Sequence, residues 1–369
     1  MAGDKIRLLA SSIEGFLEAL ILEASRFNLD IVEAHDYFVL LEGKKKDTAK
    51  FIMCSQTASN VMLYFCKISE DLVIRDYLSN ISDVMIKDSL KFKVLSENVS
   101  KEDCKEVGIL FEKQIGFKAD ITNYEISFGL MRDKEYYVGV NVYKKDFSKR
   151  DYRVYPSKQS SNPVLYASLV ELAKVKDNLV FLDPICQDGT FAIEYALRSS
   201  YGIRMHESHL LEKRILSLFY DENSFIQKYS LPSASIHCSD ELMGNLSKAK
   251  QNSRLAGIEK NISFGRMPIQ YLVLKHEKKS IGFIATKINL VSKIFSLKKY
   301  DELLSRLLKS ASLILKKDHK IILLSNEKEL TEKRLMEYGF YDIEIYEYRK
   351  GESILYGIIS NNGGIKNRT

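Results

Sequence analysis

The sequence has few cysteines and no long apolar run, and both absences narrow the class of protein. Its five cysteines are scattered, and none forms a Cys-x-x-Cys pair, so neither a zinc site nor a disulfide framework is indicated. No apolar run reaches the length of a membrane span, and residues 1–5 do not open a signal peptide. An odd number of cysteines in such a chain is typical of the reducing cytoplasm, where we expect the protein.

A metal site is also not expected. His206, Glu207 and His209 resemble a cluster of ligands, but they lie in a strongly charged stretch. We interpret residues 201–232 as a solvated inserted segment whose role the sequence leaves open. No fourth ligand follows at a spacing typical of zinc sites.

The composition is that of an ordinary globular protein with a mild excess of positive charge. A length of 369 residues is enough for two or three domains, and 45% hydrophobic with 28% charged residues allows sizeable cores. The net charge of +6 is compatible with a nucleic-acid partner, but a lysine-rich solvated surface would give the same value. Charge alone therefore does not decide the partner.

Strand and helix signals alternate over residues 1–80. Residues 5–10 have a strand pattern, 14–27 an amphipathic helix pattern, 30–43 a hairpin pattern, and 48–66 a helix that leads into a strand. The order β-α-β-β-α-β predicts a ferredoxin-like unit.

A second α+β unit is predicted over residues 81–145. Its signals are a strand at 90–95, a helix at 100–117 capped by Ser100, and a hairpin at 124–143. Beyond residue 161, strands and helices alternate, which favours βαβ units on a parallel sheet.

The strand–loop–helix at residues 179–190 is the most informative part of that α/β region. A short apolar strand ends at Asp183, and Gly189 permits a tight turn before the helix. Ligands of open parallel sheets bind beyond the carboxyl ends of the strands, and a helix N-terminus favours an anionic group. Asp240 ends the next strand and suits two ribose hydroxyls, although it could simply cap the following helix. Together these features predict a Rossmann-type nucleoside-cofactor fold.

Several segments resemble the THUMP-domain RNA methyltransferases. That family has an arginine- and tyrosine-bearing linker, an Asn-Pro segment, the motif Asp-Pro-x-Cys-Gly-Ser-Gly-Thr and an Ile-Glu pair. The matching segments here are residues 149–155, 161–167, 182–190, 193–194 and 252–257. The resemblance therefore covers nearly the whole chain.

The resemblance implies an α/β protein of defined domain order. A ferredoxin-like unit at 1–80 and a THUMP domain at 81–145 would precede a basic linker at 146–161 and a Rossmann-type class I methyltransferase domain at 162–360, with a disordered tail at 361–369. It also implies S-adenosylmethionine (SAM) as cofactor, bound by Asp183, Pro184, Cys186, Gln187, Gly189, Thr190 and Asp240.

The partner implied by the resemblance is tRNA or another structured RNA, methylated on guanosine N2. Phosphate contacts would come from the basic stretch, where aromatic residues are available for stacking on bases. The candidates are Lys144, Lys145, Lys149, Arg150 and Arg153. The alternative interpretation of this stretch is a solvated hinge.

The cofactor motif departs from the family at two positions. Gln187 and Asp188 stand where the family has Gly-Ser. A side chain at Gln187 would hinder close approach of the ligand to the backbone, and Asp188 would add negative charge near the ligand's carboxylate. The third strand, at 262–264, also lacks the following acid that the family uses to bind adenine.

The fourth strand, at 280–286, departs most. The family ends it with Asn/Asp-Pro-Pro-Tyr/Phe, whose oxygens accept hydrogen bonds from the guanine amino group. Here Lys287, Asn289 and Leu290 occupy that position. A charged lysine only donates, Leu290 has no aromatic face, and Asn289 could serve only if the register slips by two. No catalytic residue is therefore secure.

Two hypotheses remain open. The missing motif favours a protein that retains RNA binding but has weak or lost catalysis, acting as a binding module or as the partner of an active subunit. The alternative is an active SAM-dependent tRNA (guanine-N2)-methyltransferase that has a divergent site or needs a partner subunit.

Overall fold

The computed structural model describes residues 5–69, 74–75, 91–96, 99–116, 118–143, 149–200 and 235–363. Within these residues the chain divides into two compact units. The first contains the described residues up to 143 except Ile13–Ala19, and the second contains Ile13–Ala19 and the described residues from 149 onward. Each unit is built around a sheet of its own.

The first part of the first unit has the element order β-α-β-β-α-β, as the sequence pattern predicts. Strand β1 lies between β3 and β4, and β2 pairs with β3, all antiparallel. The elements are β1 (Lys5–Ser11), α1 (Leu17–Arg26), β2 (Asp30–Ala34), β3 (Phe38–Lys44), α2 (Lys45–Cys54) and β4 (Asn60–Ile68).

The strands that follow extend the same sheet. Strand β4 pairs with β9, so the described strands on both sides of residue 80 form one sheet in the order β2-β3-β1-β4-β9-β8-β6-β7, with β5 on β4. The added elements are β5 (Ile74–Arg75), β6 (Lys91–Leu95), α3 (Lys101–Ile115), β7 (Lys118–Ala119), β8 (Ile126–Arg132) and β9 (Tyr136–Asn141). Ser100 caps α3 by accepting from Asp103 N at 3.0 Å. The division into a ferredoxin-like unit and a THUMP domain stays a prediction.

The second unit is an α/β sheet with helices between its strands, as predicted. Its first part comprises α4 (Pro163–Leu172), β10 (Phe181–Asp183), α5 (Thr190–Ser200), β11 (Ile236–Asp240), α6 (Met243–Leu255) and β12 (Ile262–Arg266). Its second part comprises α7 (Leu272–Lys275), β13 (Phe283–Lys287), α8 (Leu297–Ile314), β14 (Lys320–Ser325), α9 (Lys328–Glu337), β15 (Phe340–Lys350) and β16 (Ser353–Asn362).

The strand order in this sheet creates a switch point. In the described residues the order is β12-β11-β10-β13-β14-β16-β15, with β12 to β14 parallel and the last two strands antiparallel. The chain adds β11 and β12 on one side of β10, and then β13 and β14 on the other. The boundary between β10 and β13 is therefore the place where such folds bind ligands.

A continuous apolar core fixes these strand ends in place. Helix α8 places Tyr300, Leu304, Leu307 and Leu308 in the core beside β13 and β14. The helix begins at Leu297, because Ser296 caps it by accepting from Lys299 N.

The predicted tail begins too early. Residues 361 and 362 belong to β16, because Asn362 is buried and its side chain donates to Leu315 O at 2.9 Å. Residues 364–369 lie outside the described residues, as do Lys144, Lys145 and the predicted inserted segment 201–232 with its two histidines.

Two features are absent from the described residues. No helix there combines the length and apolar character needed to cross a membrane. No group of three or more histidine, cysteine, aspartate or glutamate side chains there is placed to hold a metal ion.

Candidate active site

Three charged residues end neighbouring strands at the switch point. Asp183 ends β10, Asp240 ends β11 and Lys287 ends β13. All three are buried, with exposures of 2%, 3% and 3%. Burial of ionisable side chains at the carboxyl edge of a parallel sheet is typical of a functional site.

Asp183 is bound by the strand on the other side of the switch point. Thr286 Oγ1 donates to its Oδ1 at 2.7 Å, and Ile185 N donates to the same oxygen at 3.3 Å. Burial raises the pKa of Asp183 to about 8, since a desolvated carboxylate is disfavoured. A bound ammonium group would stabilise the carboxylate form, so this position suits the amino group of an amino-acid moiety.

The loop after Asp183 has an unusual backbone. Gln187 has a φ of 51° and Gly189 a φ of 80°. Such a conformation costs a residue with a Cβ about 1–2 kcal/mol. Gln187 offsets this cost with two hydrogen bonds, donating its backbone N to Asp240 Oδ2 at 3.0 Å and its Nε2 to Lys287 O at 3.4 Å. The side chain, which the sequence places against the ligand, instead joins the loop to β13, and the backbone N joins it to β11.

Gly189 allows the loop to pack closely on α6. A Cβ at Gly189 would lie 2.9 Å from the Cβ of Ala249 and 3.1 Å from its Cα. Thr190 then begins α5. The glycine is thus required by both its conformation and its neighbour, in agreement with the turn predicted from the sequence.

The proline and the cysteine of the motif are the buried residues at the start of the loop. Pro184 and Cys186 are buried, and Cys186 N donates to Ser239 O at 2.9 Å. The thiols of Cys186 and Cys238 interact, and burial raises the pKa of both. Cys186 therefore attaches the loop to β11.

Asp240 gathers donors from the loop and from the start of α6. Its carboxylate accepts from Leu242 N at 2.9 Å and from Asn245 Nδ2 at 3.1 Å, in addition to Gln187 N. The contact with Leu242 N shows that Asp240 also supports the turn into α6, as the alternative interpretation of its role predicts. A carboxylate here remains suited to ribose hydroxyls. On binding, these hydroxyls would replace the Asn245 amide as donors to Asp240.

The carboxylate of Asp188 points into its own chain. It accepts from Ser157 N at 2.9 Å and from Thr190 Oγ1 at 2.6 Å, and Arg153 Nε lies 3.4 Å away. These donors satisfy the buried carboxylate. Its negative charge is therefore compensated by Ser157 N, Thr190 and Arg153 within the chain.

Lys287 binds the same segment. Its Nζ donates to Ser161 Oγ at 2.9 Å and to the backbone carbonyl of Gln159. Burial lowers the pKa of Lys287 to about 8. Strand β13 ends at Lys287, followed by buried Ile288 and half-buried Asn289 and Leu290, so Lys287 is the side chain at the strand end.

Asn252 completes the arrangement, although its sequence context signals only the family resemblance. This fully buried side chain binds the backbone N and O of Tyr155 and also donates to Asp188 O at 3.0 Å. No role was predicted for Ser157, Gln159 or Ser161. Their only signal in the sequence is their position at the end of the basic linker, where Ser161 opens the Asn-Pro segment.

In the described part of the basic stretch, residues 149–161, the basic side chains do not share one exposed surface. Arg150 was expected to contact phosphate, but its side chain is 0% exposed and forms an ion pair with Glu194 at 2.8 Å. Tyr152 also donates to Glu194, at 2.6 Å. Arg153 is largely buried beside Asp188, whereas Lys149 is exposed. Arg150 is therefore corrected to a buried structural residue, because a buried carboxylate needs a paired cation.

The residues of this edge fit SAM. Asp183 suits the ammonium group of its methionine part, Asp240 suits its ribose, and Gly189 keeps the loop free of a side chain that would collide with α6. Fold and site together define a Rossmann-type methyltransferase.

The sequence assigns the family directly. Residues 150–352 match the UPF0020 family, described as the RMKL-like methyltransferase domain, and the chain belongs to that family. Family membership confirms the expected cofactor class, SAM. No curated protein matches the chain.

Solved structures share the fold over nearly the whole chain. A possible methylase from Clostridium difficile 630 has 18% identity and a TM-score of 0.71, covering 99% of this chain and 100% of its own. SMU.472, assigned to the methyltransferases and solved with SAH, has 16% identity and a TM-score of 0.67 over 98% and 100%. TrmN from Thermus thermophilus has 17% identity and a TM-score of 0.66 over 97% and 99%. At these identities the similarity shows the fold alone.

Proposed function

We propose that this protein is a SAM-dependent methyltransferase that acts on structured RNA, with tRNA as the first substrate to test. The observation that carries the proposal is the placement of Asp183 and Asp240 at the ends of adjacent strands, joined through the loop that bears Gly189. SAM supplies an activated methyl group on its sulfonium. The chain would hold the ammonium of SAM at Asp183 and the ribose at Asp240.

An RNA substrate is supported by the family resemblance and by one exposed surface. Tyr155 is 42% exposed and Lys158 is exposed in the same segment, while Lys248 on α6 donates to Pro156 O at 3.4 Å. Lysines beside an exposed aromatic ring suit phosphates and stacked bases. We propose this surface, with Lys149, in place of Arg150 and Arg153. A THUMP domain in the first unit would supply further contacts.

The end of β13 is poorly suited to methylation of guanosine N2. An amino acceptor needs a hydrogen-bond acceptor to orient its nitrogen lone pair. Lys287 occupies the strand end, and its Nζ is turned toward Gln159 O and Ser161 Oγ. We therefore expect weak or absent transfer to the guanine amino group.

A second candidate function is RNA binding without methyl transfer. It is favoured by one observation, namely that two of the departures from the family's motifs, Asp188 and Lys287, bind residues 157–161. In that case residues 157–161 would occupy the part of the crevice where a methyl acceptor would otherwise bind. The protein would then act as a binding module or as the partner of an active subunit.

Calorimetry with SAM tests the cofactor site. We expect binding by the wild type, strong loss in Asp240→Ala, and little change in Glu241→Ala, because Glu241 is the exposed neighbour of Asp240. Absence of SAM binding by the folded wild type would contradict the proposed function.

Transfer of labelled methyl from SAM to bulk tRNA, followed by nucleoside analysis, separates the two candidates. Labelled nucleosides support the methyltransferase. Binding of both SAM and tRNA without transfer supports the second candidate. The RNA surface is tested separately by the salt dependence of tRNA binding in a Lys158→Ala, Lys248→Ala double variant, with exposed Lys309→Ala as the control.

A further inference from the structure

Lys287 is a buried lysine whose hydrogen bonds go to uncharged groups. Its side chain lies at the switch point and is 3% exposed, and its Nζ donates to the Gln159 carbonyl and to Ser161 Oγ. An ammonium group in such a place is poorly compensated, because burial favours the neutral amine. Lysines in such surroundings are suited to proton transfer.

The hydrogen bonds around Nζ also match a neutral amine. A neutral lysine has two N–H groups and one lone pair. The Gln159 carbonyl and the Ser161 hydroxyl together can accept both hydrogens. The lone pair then remains available to accept a proton from a group in the crevice.

The charged groups that influence Lys287 do not reverse this preference. Asp188 favours its protonated form and Arg153 disfavours it, while burial has the largest effect and lowers the pKa of Lys287 to about 8. The Asp188 carboxylate is itself held by Ser157 N, Thr190 and Arg153. Near neutral pH, a useful fraction of Lys287 is therefore the free amine.

Lys287 also lies beside the groups assigned to the cofactor. Its backbone carbonyl accepts from Gln187 Nε2, and its chain neighbour Thr286 donates to Asp183. Strands β10 and β13 are directly paired. A group bound against the end of β13 would thus lie next to a cofactor held at the end of β10.

We propose that Lys287 is the catalytic residue that removes the proton from a hydroxyl acceptor, and that this acceptor is the ribose 2′-hydroxyl of RNA. The inference rests on the proposed function and names its acceptor. Both a hydroxyl and a base amino group lose one proton when they are methylated, but the amino group also needs a hydrogen-bond acceptor that orients its lone pair, whereas for a hydroxyl a base that takes the proton is enough. Among the groups of an RNA chain, the 2′-hydroxyl recurs at every nucleotide and distinguishes RNA from DNA.

Methyl transfer to the hydroxyl converts the Lys287 amine to its ammonium form. The O–H proton passes to the Lys287 lone pair, and an oxygen electron pair forms the new O–CH3 bond. The S–CH3 bond breaks, and its electron pair stays on sulfur as a neutral thioether. The products are a 2′-O-methyl ribose and the Lys287 ammonium, which then releases its proton to solvent.

The protonation state can be measured without activity. Protein labelled with 13C at lysine Cε would be titrated by NMR, with the Lys287 signal assigned from its loss in Lys287→Arg. We expect a midpoint near 8 for Lys287 and values near the ordinary ~10.4 for exposed lysines. A Lys287 midpoint above 10 would overturn the inference.

The acceptor is tested with RNA and DNA oligonucleotides of one sequence, labelled SAM and nucleoside analysis. We expect alkali-resistant 2′-O-methylated dinucleotides from RNA only, and a rate that rises about tenfold per pH unit below pH 8 and levels off above it. Lys287→Arg, which stays protonated, should lose about 10²–10⁴-fold in rate while keeping its SAM affinity. Lys293→Arg, at an exposed site in the following loop, is the matched control. Lys287→Gln and thermal unfolding of each variant separate loss of chemistry from loss of fold.

Other outcomes distinguish failure of the role given to Lys287 from failure of the proposed function. Methyl on a base nitrogen, with Lys287→Arg still active, overturns the inference and leaves the proposed function standing. SAM and RNA binding without transfer also overturns the inference, and it supports the second candidate function. Failure of the folded wild type to bind SAM contradicts the proposed function itself.

Discussion

Asn252 on α6 holds both backbone polar groups of Tyr155. Its Oδ1 accepts from Tyr155 N at 3.0 Å, and its Nδ2 donates to Tyr155 O at 3.1 Å. The same amide donates to Asp188 O at 3.0 Å. One buried side chain thus joins the segment that follows the basic stretch to the cofactor loop.

We expect Asn252→Ala to lower the free energy of unfolding by about 1–3 kcal/mol for each buried backbone group left without a partner. SAM affinity should also fall, because Asp188 and the loop lose their support. Urea unfolding and calorimetry measure the two effects. Gln251→Ala, at an exposed position of the same helix, should change neither. Equal stability of the Asn252 and Gln251 variants would contradict this role.

Gly189 and Gly257 provide a matched pair. Both have positive φ, 80° and 74°, but a Cβ would meet Ala249 only at Gly189, and nothing lies within 4 Å at Gly257. We expect Gly257→Ala to cost about 1–2 kcal/mol from backbone conformation alone. Gly189→Ala should cost more and also weaken SAM binding. Similar unfolding free energies for the two variants would show that α6 moves aside easily.

Arg150 and Lys149 separate structural from RNA-binding roles. Removing the Arg150 guanidinium leaves the Glu194 carboxylate buried beside Tyr152, so Arg150→Met should lose about 3–5 kcal/mol of stability. Lys149→Met, at an exposed site, should cost much less stability than Arg150→Met and reduce tRNA affinity modestly. The reverse pattern, a stable Arg150→Met with lost tRNA binding, would restore the original expectation for Arg150.

Asp183 should make stability depend on pH. Because burial raises its pKa to about 8, the folded protein binds this proton more tightly than the unfolded chain. The resulting stabilisation is complete below the ordinary aspartate pKa and is lost as pH rises toward 8, by up to ~1.4 kcal/mol per pH unit. Asp183→Asn retains an acceptor for Thr286 and lacks this titration. Urea unfolding between pH 5 and 7.5 without SAM should show a steeper decline for the wild type, and parallel curves would refute the shift.

The sequence predicts the fold well because its signals are local. Apolar strands, the Ser100 cap and the turn at Gly189 are encoded within a few residues, and the order of elements followed from them. The tail boundary failed because the burial of Asn362 depends on its bond to Leu315, far away in the chain.

The site was predicted less completely for the same physical reason. Asp183 and Asp240 end strands, so their sequence context placed them correctly. Whether Arg150 meets solvent or Glu194 depends on packing between residues 44 positions apart. The contacts of Lys287 with Gln159 and Ser161 span more than 120 positions, and no local pattern signals them.

The buried thiols of Cys186 and Cys238 make opening of the cofactor loop measurable by chemical labelling. Cys186 N is bonded to Ser239 O and its buried thiol contacts that of Cys238, so separation of the cofactor loop from β11 would expose the thiol. Burial also raises the pKa of both thiols, so neither reacts while it is enclosed. The rate at which an alkylating reagent labels Cys186 therefore reports how often the loop opens. A bound cofactor should lower that labelling rate.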